Sequence, residues 1–193
     1  MCGRYYIDKG TIQSLGEFPD FNERQWFGKD GDVYPSEAAL VLRAGNSILT
    51  ADQMIWGFPR FDGQGLVINA RAESAMEKRM FRESILYRRC VIVAKGFYEW
   101  TKTKEKYTFE RENGNVMFMA GCFQSFQGQN RFVILTTNAN ASVEPIHDRM
   151  PLILEKEEVE NWIWDKRSAE HILRKRPAEL KKETEYEQLK LFL

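Results

Sequence analysis

The sequence predicts an α+β domain, mainly β, built on a rolled or barrel-like mixed sheet with flanking helices. Three observations carry that expectation. Short β-type runs fill the first three quarters of the chain, turn residues separate them at close intervals, and only three segments have helical character. The length, 193 residues, suits one substantial core, and neither an internal repeat nor a Ser/Gly/Pro linker divides it. One domain is expected over residues 1–176, followed by a tail over 177–193 that begins charged and ends apolar.

In chain order, the candidate strands are 4–7, 38–43, 48–56, 66–69, 90–94, 97–101, 106–110, 116–122, 131–137 and 152–154. All are short, and several, such as 97–101 and 131–137, are rich in β-branched or aromatic residues. Gly45-Asn46, Asp62-Gly63, Asn113-Gly114 and Gly128-Gln129 punctuate them as turns. Ser74-Ala75-Met76-Glu77 has the capping-box spacing and opens a helix that carries Met80, Phe81 and Leu86. Two further helices are expected over 156–164 and 168–175.

Composition removes several function classes. No apolar run approaches the roughly 18 residues that span a bilayer, so no membrane partner is expected. The opening MCGRYYIDKG lacks the apolar stretch of a secretory signal. Three cysteines, an odd number without a CxxC pair, argue against a disulfide framework or a structural zinc site. Two histidines leave little for a metal centre, so neither metal nor cofactor is expected, and the expected location is a reducing cytoplasm. Lys+Arg and Asp+Glu are both 28, so global charge does not advertise a nucleic-acid partner. Locally the balance differs: residues 71–111 hold eleven Lys/Arg against six Asp/Glu, either a solvated face or a phosphate-binding stripe.

Five motifs could carry chemistry. Trimming of Met1 would leave Cys2 with an α-amine and a thiol on adjacent carbons. Such an amine has a reference pKa of about 7.7–8.0, so on the order of a tenth is neutral at pH 7. It can form a Schiff base with an aldehyde, after which the thiol closes a five-membered ring intramolecularly. The alternative is an incidental buried cysteine. Asn69-Ala70-Arg71-Ala72-Glu73 lies between a strand and a helix, where Asn can orient an amine and Arg can fork onto a phosphate; it is otherwise loop polarity. In Gly96-Phe97-Tyr98-Glu99-Trp100 a carboxylate stands among aromatics, which suits a raised pKa and proton shuttling, or a strand with a wet face. His147, after the strand end Thr136-Thr137-Asn138, is a general acid–base candidate or a structural histidine. The turn Trp56-Gly57-Phe58-Pro59-Arg60-Phe61 offers aromatics beside a cation, for stacking unpaired bases or for plugging the core.

Taken as an ordered set, these pieces resemble the SRAP (SOS response-associated peptidase) family. The resemblance rests on Met1-Cys2-Gly3-Arg4-Tyr5, Pro35-Ser36, Trp56-Gly57, Asn69-Ala70-Arg71-Ala72-Glu73, Phe81-Arg82, Arg88-Arg89-Cys90, Gly96-Phe97-Tyr98-Glu99-Trp100, Thr136-Thr137 and His147-Asp148-Arg149-Met150-Pro151. It implies that family's β-rich fold, removal of Met1, and a covalent thiazolidine link between Cys2 and an abasic site in single-stranded DNA. It further implies that Asn69 positions the Cys2 amine, Glu99 transfers protons beside it, and His147 assists sugar opening and reversal. Arg4 and Arg71 would hold phosphates, with Pro35, Ser36, Trp56, Phe61, Arg79 and Thr136 completing the nucleic-acid contacts. One departure stands out: where the family often has a Trp-rich wedge, this chain has Phe58-Pro59-Arg60-Phe61-Asp62. Phe61 preserves stacking, whereas Asp62 would repel phosphate.

Two other functions stay open on the residues: a cysteine peptidase pairing Cys2 with His147, and a non-catalytic reader of modified or single-stranded DNA. Outside the resemblance, Gln188-Leu189-Lys190-Leu191-Phe192 is similar to the short peptide by which bacterial repair proteins grip the sliding clamp. Gln188 would fix register while Leu189, Leu191 and Phe192 fill a cleft, with 181–185 as a charged tether. The same apolar residues would equally suit an edge strand.

Overall fold

The computed structural model describes residues 2–17 and 30–184. Strand β1 (Tyr5–Ile7) and helix α1 (Lys9–Gln13) come first. They are followed by β2 (Gly31–Val33), β3 (Ala38–Ala44), β4 (Leu49–Trp56), β5 (Phe58–Pro59), β6 (Leu66–Val67) and β7 (Asn69–Arg71). Helices α2 (Ala72–Ala75) and α3 (Arg79–Tyr87) lead to β8 (Arg89–Ala94), β9 (Gly96–Trp100), β10 (Lys106–Glu110), β11 (Met117–Phe126) and β12 (Gln129–Asn138). The remainder is β13 (Arg149–Pro151), β14 (Ile153–Leu154), α4 (Glu158–Trp164), α5 (Lys166–Ile172) and β15 (Lys181–Thr184).

Five strands close a barrel. β12 pairs β4, β4 pairs β3, β3 pairs β8, β8 pairs β11, and β11 pairs β12 again. All seams are antiparallel except β12–β4, and closure leaves no exposed edge within the ring. β8, with the sequence RCVIVA, is buried along its whole length, because barrel interior covers one face and α3 and α4 pack on the other. At Gly121 on β11 a Cβ would come within 2.7 Å of the Val133 carbonyl oxygen, so the wall tolerates no side chain there.

β12 is shared between two partners. Arg131 and Phe132 register with Ile55 and Trp56 of β4, whereas Ile134, Leu135 and Thr136 register with Asn69, Ala70 and Arg71 of β7. Its last residues pair antiparallel with β13, Asn138 opposite Arg149. A smaller five-stranded sheet, in the order β15-β10-β9-β1-β2, packs beside the barrel. Alternation on β9 and β10 buries Phe97, Glu99 and Phe109, with Phe97 and Phe109 stacked at 5.1 Å. Tyr98, Trp100 and Lys106 fall on the half-exposed opposite face.

The expected mainly-β, barrel-like class is the observed one, with differences in detail. The expected 74–86 helix divides into α2 and α3, joined by a turn in which the Glu77 and Lys78 amides donate to Ser74 and Ala75 carbonyls. Ser74 therefore lies inside α2, and neither helix has a side-chain N-cap. Instead, the buried Arg89 guanidinium satisfies carbonyls at two helix ends: Ile85 at 2.8 Å, Leu86 at 3.2 Å and Ile163 at 3.0 Å, together with Trp162. Helix α1 escapes the hydrophobic pattern because it is one turn long, nucleated where the Asp8 carboxylate accepts from the Thr11 amide at 2.6 Å.

The expected boundary of the tail also moves. Pro177 and Ala178 carbonyls accept from the Asn140 side chain, at 3.3 and 2.7 Å, and Leu180 is buried. Lys181–Thr184 forms β15, the edge strand on β10, so these residues belong to the domain rather than to a tether. Edge strands rich in Lys and Glu are how sheets end safely. The clamp-like segment with Gln188, Leu189, Leu191 and Phe192, and Met1, lie outside the described residues. No described helix is long and apolar enough to cross a membrane.

Candidate functional site

The seam between barrel and small sheet brings together Cys2, Asn69, Glu99 and His147, four residues spread over most of the chain. β1 enters the small sheet directly after Cys2–Arg4, and the Tyr98 amide on β9 donates to the Arg4 carbonyl at 3.1 Å. That pairing carries Cys2 alongside Glu99. From the barrel side, β7 delivers Asn69, whose Nδ2 donates to the Cys2 carbonyl at 2.9 Å. The Asn69 Oδ1 is buried and has no hydrogen-bond partner among the described residues. A buried acceptor left open costs free energy and commonly marks the place of an absent donor.

Cys2 is fully buried and its thiol donates to the Arg4 carbonyl at 3.6 Å. Burial, reinforced by the nearby Glu99 charge, holds the thiol protonated far above the ordinary cysteine range. Glu99 is only 3% exposed. Burial raises its carboxyl above the usual carboxylate range. His147 closes the cluster. Its Nδ1 lies 3.0 Å from the Arg149 amide nitrogen and 3.0 Å from Asp148 Oδ1. The Arg149 amide and the Asp148 carboxylate thus meet the same ring nitrogen, which fixes the orientation of the imidazole.

Arg149 is the support to which the sequence assigns no role. It is 5% exposed and forks onto Glu73 at 2.6 and 2.9 Å, while also donating to Asn138 Oδ1 at 2.6 Å and the Thr136 carbonyl at 2.7 Å. The fork keeps the Glu73 carboxyl below its usual range. One guanidinium thus pins the ends of β12 and β13 to the start of α2, fixing both Asn69 and His147. The complementary charges in Asn69–Glu73 and His147–Pro151 are the only sign of it in the sequence.

The expected nucleic-acid residues divide into two groups. Arg71 is exposed at the end of β7, and its side-chain charge helps hold the Glu73 carboxyl down. Arg79 is exposed at the start of α3, and Phe61 is 90% exposed at the tip of the turn between β5 and β6. Asp62 beside it is ion-paired with Arg60 at 3.1 Å, which offsets the charge that would repel phosphate. Pro35 and Ser36 form the turn between β2 and β3, with Ser36 at φ 74° and its amide donating to the Trp56 carbonyl at 2.9 Å. Arg4 reaches Asp32 at 3.4 Å and lies against the Tyr34 and Trp100 rings, at 4.7 and 5.0 Å from their centroids.

Trp56 and Thr136 require correction as surface contacts. Trp56 is fully buried, stacked on Phe132 at 6.2 Å, with its indole N–H donated to the Ile68 carbonyl at 2.9 Å. Thr136 is likewise buried, its hydroxyl directed to the Ala70 carbonyl at 3.5 Å. Both hold β7 in place from behind.

Comparison with known proteins places this geometry. A family model described as SOS response associated peptidase (SRAP) matches residues 1–190. The chain is 31% identical to the Bacillus subtilis abasic site processing protein YoqW, over 84% of this chain and 80% of that one. It is also 31% identical to the Escherichia coli abasic site processing protein YedK, over 84% and 79% of the two chains. A crystal structure of a Bordetella bronchiseptica protein superposes with a TM-score of 0.80 at 20% identity, covering 95% of this chain and 99% of that one, and so shares the fold.

Proposed function

The chain belongs to the SOS response associated peptidase family, and on that premise we propose that it processes abasic sites in single-stranded DNA by covalent capture on Cys2. The ring-opened sugar of an abasic site presents an aldehyde. Removal of Met1 frees the Cys2 amine, which adds to the aldehyde carbon to give a carbinolamine. Loss of water, with the hydroxyl protonated by Glu99, gives the imine. The Cys2 sulfur then adds to the imine carbon while the thiol proton passes to nitrogen, closing a thiazolidine. The balance is aldehyde plus aminothiol to thiazolidine plus one water.

Each side chain has a part that its surroundings suit. The open Asn69 Oδ1 accepts an amine N–H, while its Nδ2 fixes the adjoining carbonyl. Glu99, its carboxyl raised by burial, is suited to give a proton and then take one back. His147, its ring held in orientation by the Arg149 amide at Nδ1, is the group assigned to opening the sugar. The single observation that carries the reading is the Cys2–Asn69 pair: a buried acceptor without a donor, next to the backbone whose amine would supply it.

The peptidase alternative is less well supported. A cysteine peptidase needs a thiolate activated by imidazole. Here the thiol gives its hydrogen to a backbone carbonyl and burial keeps it protonated. Independently of the family, the segment with Gln188, Leu189, Leu191 and Phe192 is kept as a clamp-binding peptide on its own sequence, which titration of residues 184–193 against a bacterial clamp tests directly.

The decisive experiment is intact mass after mixing the protein with an abasic single-stranded oligonucleotide. The expected product is the chain without Met1 plus the DNA less one water, stable to heating. Release of a peptide from a protein substrate, without any DNA adduct, would instead establish the peptidase.

A further inference from the structure

His147 stands on the loop between β12 and β13, whereas Cys2 and Glu99 stand with the small sheet. A loop side chain meets a sheet side chain reproducibly only where the loop is tied to that sheet. The tie is residues 176–184, which run as a strap from the His147 loop to the sheet. We propose that this strap, gripped by the buried side chain of Asn140, sets where His147 stands against Glu99, so that Asn140 is a positioning residue for opening the abasic sugar. The proposal rests on the covalent-capture reading above and adds to it a residue that acts through another.

Asn140 works in two directions. Its Oδ1 accepts from the Ser142 amide at 3.1 Å, the Ser142 hydroxyl at 2.6 Å and the Val143 amide at 3.3 Å. These bonds start the turns that end where the His147 amide donates to the Val143 carbonyl at 3.0 Å. The loop is closed by the Ala139 amide, which donates to the Asp148 carbonyl at 3.0 Å. The Asn140 Nδ2 points the other way and donates to the Pro177 and Ala178 carbonyls. Two more bonds repeat the grip: the Leu180 amide donates to the Ser142 hydroxyl at 3.1 Å, and Arg176 donates to the Ala139 carbonyl at 3.4 Å. At its far end the strap becomes β15, where Thr184 stands opposite Tyr107, and Tyr107 stands opposite Glu99 on β9. Thr184, Tyr107 and Glu99 thus share one row of the small sheet, and the Thr184 hydroxyl also donates to the Glu105 carboxylate at 3.4 Å. One end of the strap lies on the loop of His147 and the other in the row of Glu99. Asn140 is 3% exposed, and its oxygen and both of its amide hydrogens are used. An apolar residue would fill such a place, whereas a buried amide with its bonds made specifies one arrangement.

The test uses the full chain and two aldehydes. A natural abasic strand presents its aldehyde only after the sugar opens. A single strand carrying a simple alkyl aldehyde needs no opening. Asn140→Ala is expected to slow single-turnover capture of the abasic strand about tenfold to a hundredfold, the effect of a displaced catalytic group, and to leave capture of the alkyl aldehyde within about twofold. Ser142→Ala spares Asn140 and loosens the same grip, so it decides the matter if Asn140→Ala does not fold; it is expected to show the same selectivity at about threefold. Equal slowing with both aldehydes, or a wild-type rate on the abasic strand, overturns the proposal. The second readout needs no DNA. The chain has two histidines, and Ser142→Ala is expected to move the His147 ring signals in the proton NMR spectrum while those of His171 stay in place. Unmoved His147 signals overturn the proposal whatever the DNA does. Moved signals, together with no adduct from wild type on either strand, would sink covalent capture and keep the hold of the strap on His147.

Discussion

The Cys2 pocket and the Phe61 turn face opposite demands. In the pocket, Cys2 and Glu99 are buried, Asn69 keeps an acceptor open, and Arg149 locks the backbone around them with bonds to Glu73, Asn138 and Thr136. In the turn, Phe61 is 90% exposed, the neighbouring charges pair with each other, and little packs against them. Bond making needs groups fixed in a dry, low-dielectric place, because geometry and shifted proton affinity are the means. Stacking on bases needs only a ring in the open. The difference teaches that substitutions in the pocket should alter rate with little change in DNA affinity, and those in the turn the reverse.

The largest expected effect comes from the nucleophile proposed for the pocket. Cys2→Ala should abolish the heat-stable adduct on a denaturing gel while non-covalent binding of single-stranded DNA stays within about twofold. A durable adduct from this variant would remove the thiazolidine altogether. Next, Glu99→Gln should slow single-turnover adduct formation by about 10²–10⁴-fold, the usual worth of a general acid–base group.

Stability gives an independent reading of the same carboxyl. Burial raises the folded-state pKa of Glu99 above its unfolded value, so its ionisation opposes folding. The stability it contributes is present in full below the unfolded value and is lost as pH rises through the folded one. Glu99→Gln should therefore melt at a higher temperature than wild type near pH 8, where the native carboxyl must ionise in a buried place, and the advantage should vanish near pH 4. A constant difference across that range would assign the effect to packing.

In the turn, Phe61→Ala should weaken DNA binding about fivefold or more, the loss of one stacked base, without moving the melting temperature. The smallest effect is that of Arg71→Ala, which should lower the slope of log affinity against log salt by about 0.7. Equal slopes would mean that Arg71 serves only the start of α2.

Much of this division is legible in the chain. The alternation in 97–101 and 106–110 places two strands of the small sheet within a residue, and the ordered motifs single out Cys2, Asn69, Glu99 and His147. What stays hidden is orientation. Trp56 and Phe61 belong to one aromatic segment, yet one is core and the other solvent, because the chain stays buried through Phe58 and reverses only in the turn that joins β5 to β6, where Phe61 stands. No local pattern encodes which way such a turn faces. β15 is hidden for a related reason: Lys-Lys-Glu-Thr has the composition of a linker, and only the free edge of β10 makes it a strand. Arg149 hides because its partners Glu73 and Asn138 are distant or unremarkable in sequence.

The double allegiance of β12 has a consequence for how the molecule comes into being. Residues 131–132 close the barrel against β4, and 134–136 hold β7, so one strand must find partners about seventy residues upstream before Asn69 has a fixed position. Such distant pairings are the slow steps of folding. The ring and the pocket therefore mature together and late, and a chain interrupted before β12 has neither. If the proposed capture chemistry holds, competence to react with an aldehyde arrives in one step, on a finished molecule, and a half-made chain has no assembled pocket with which to trap one.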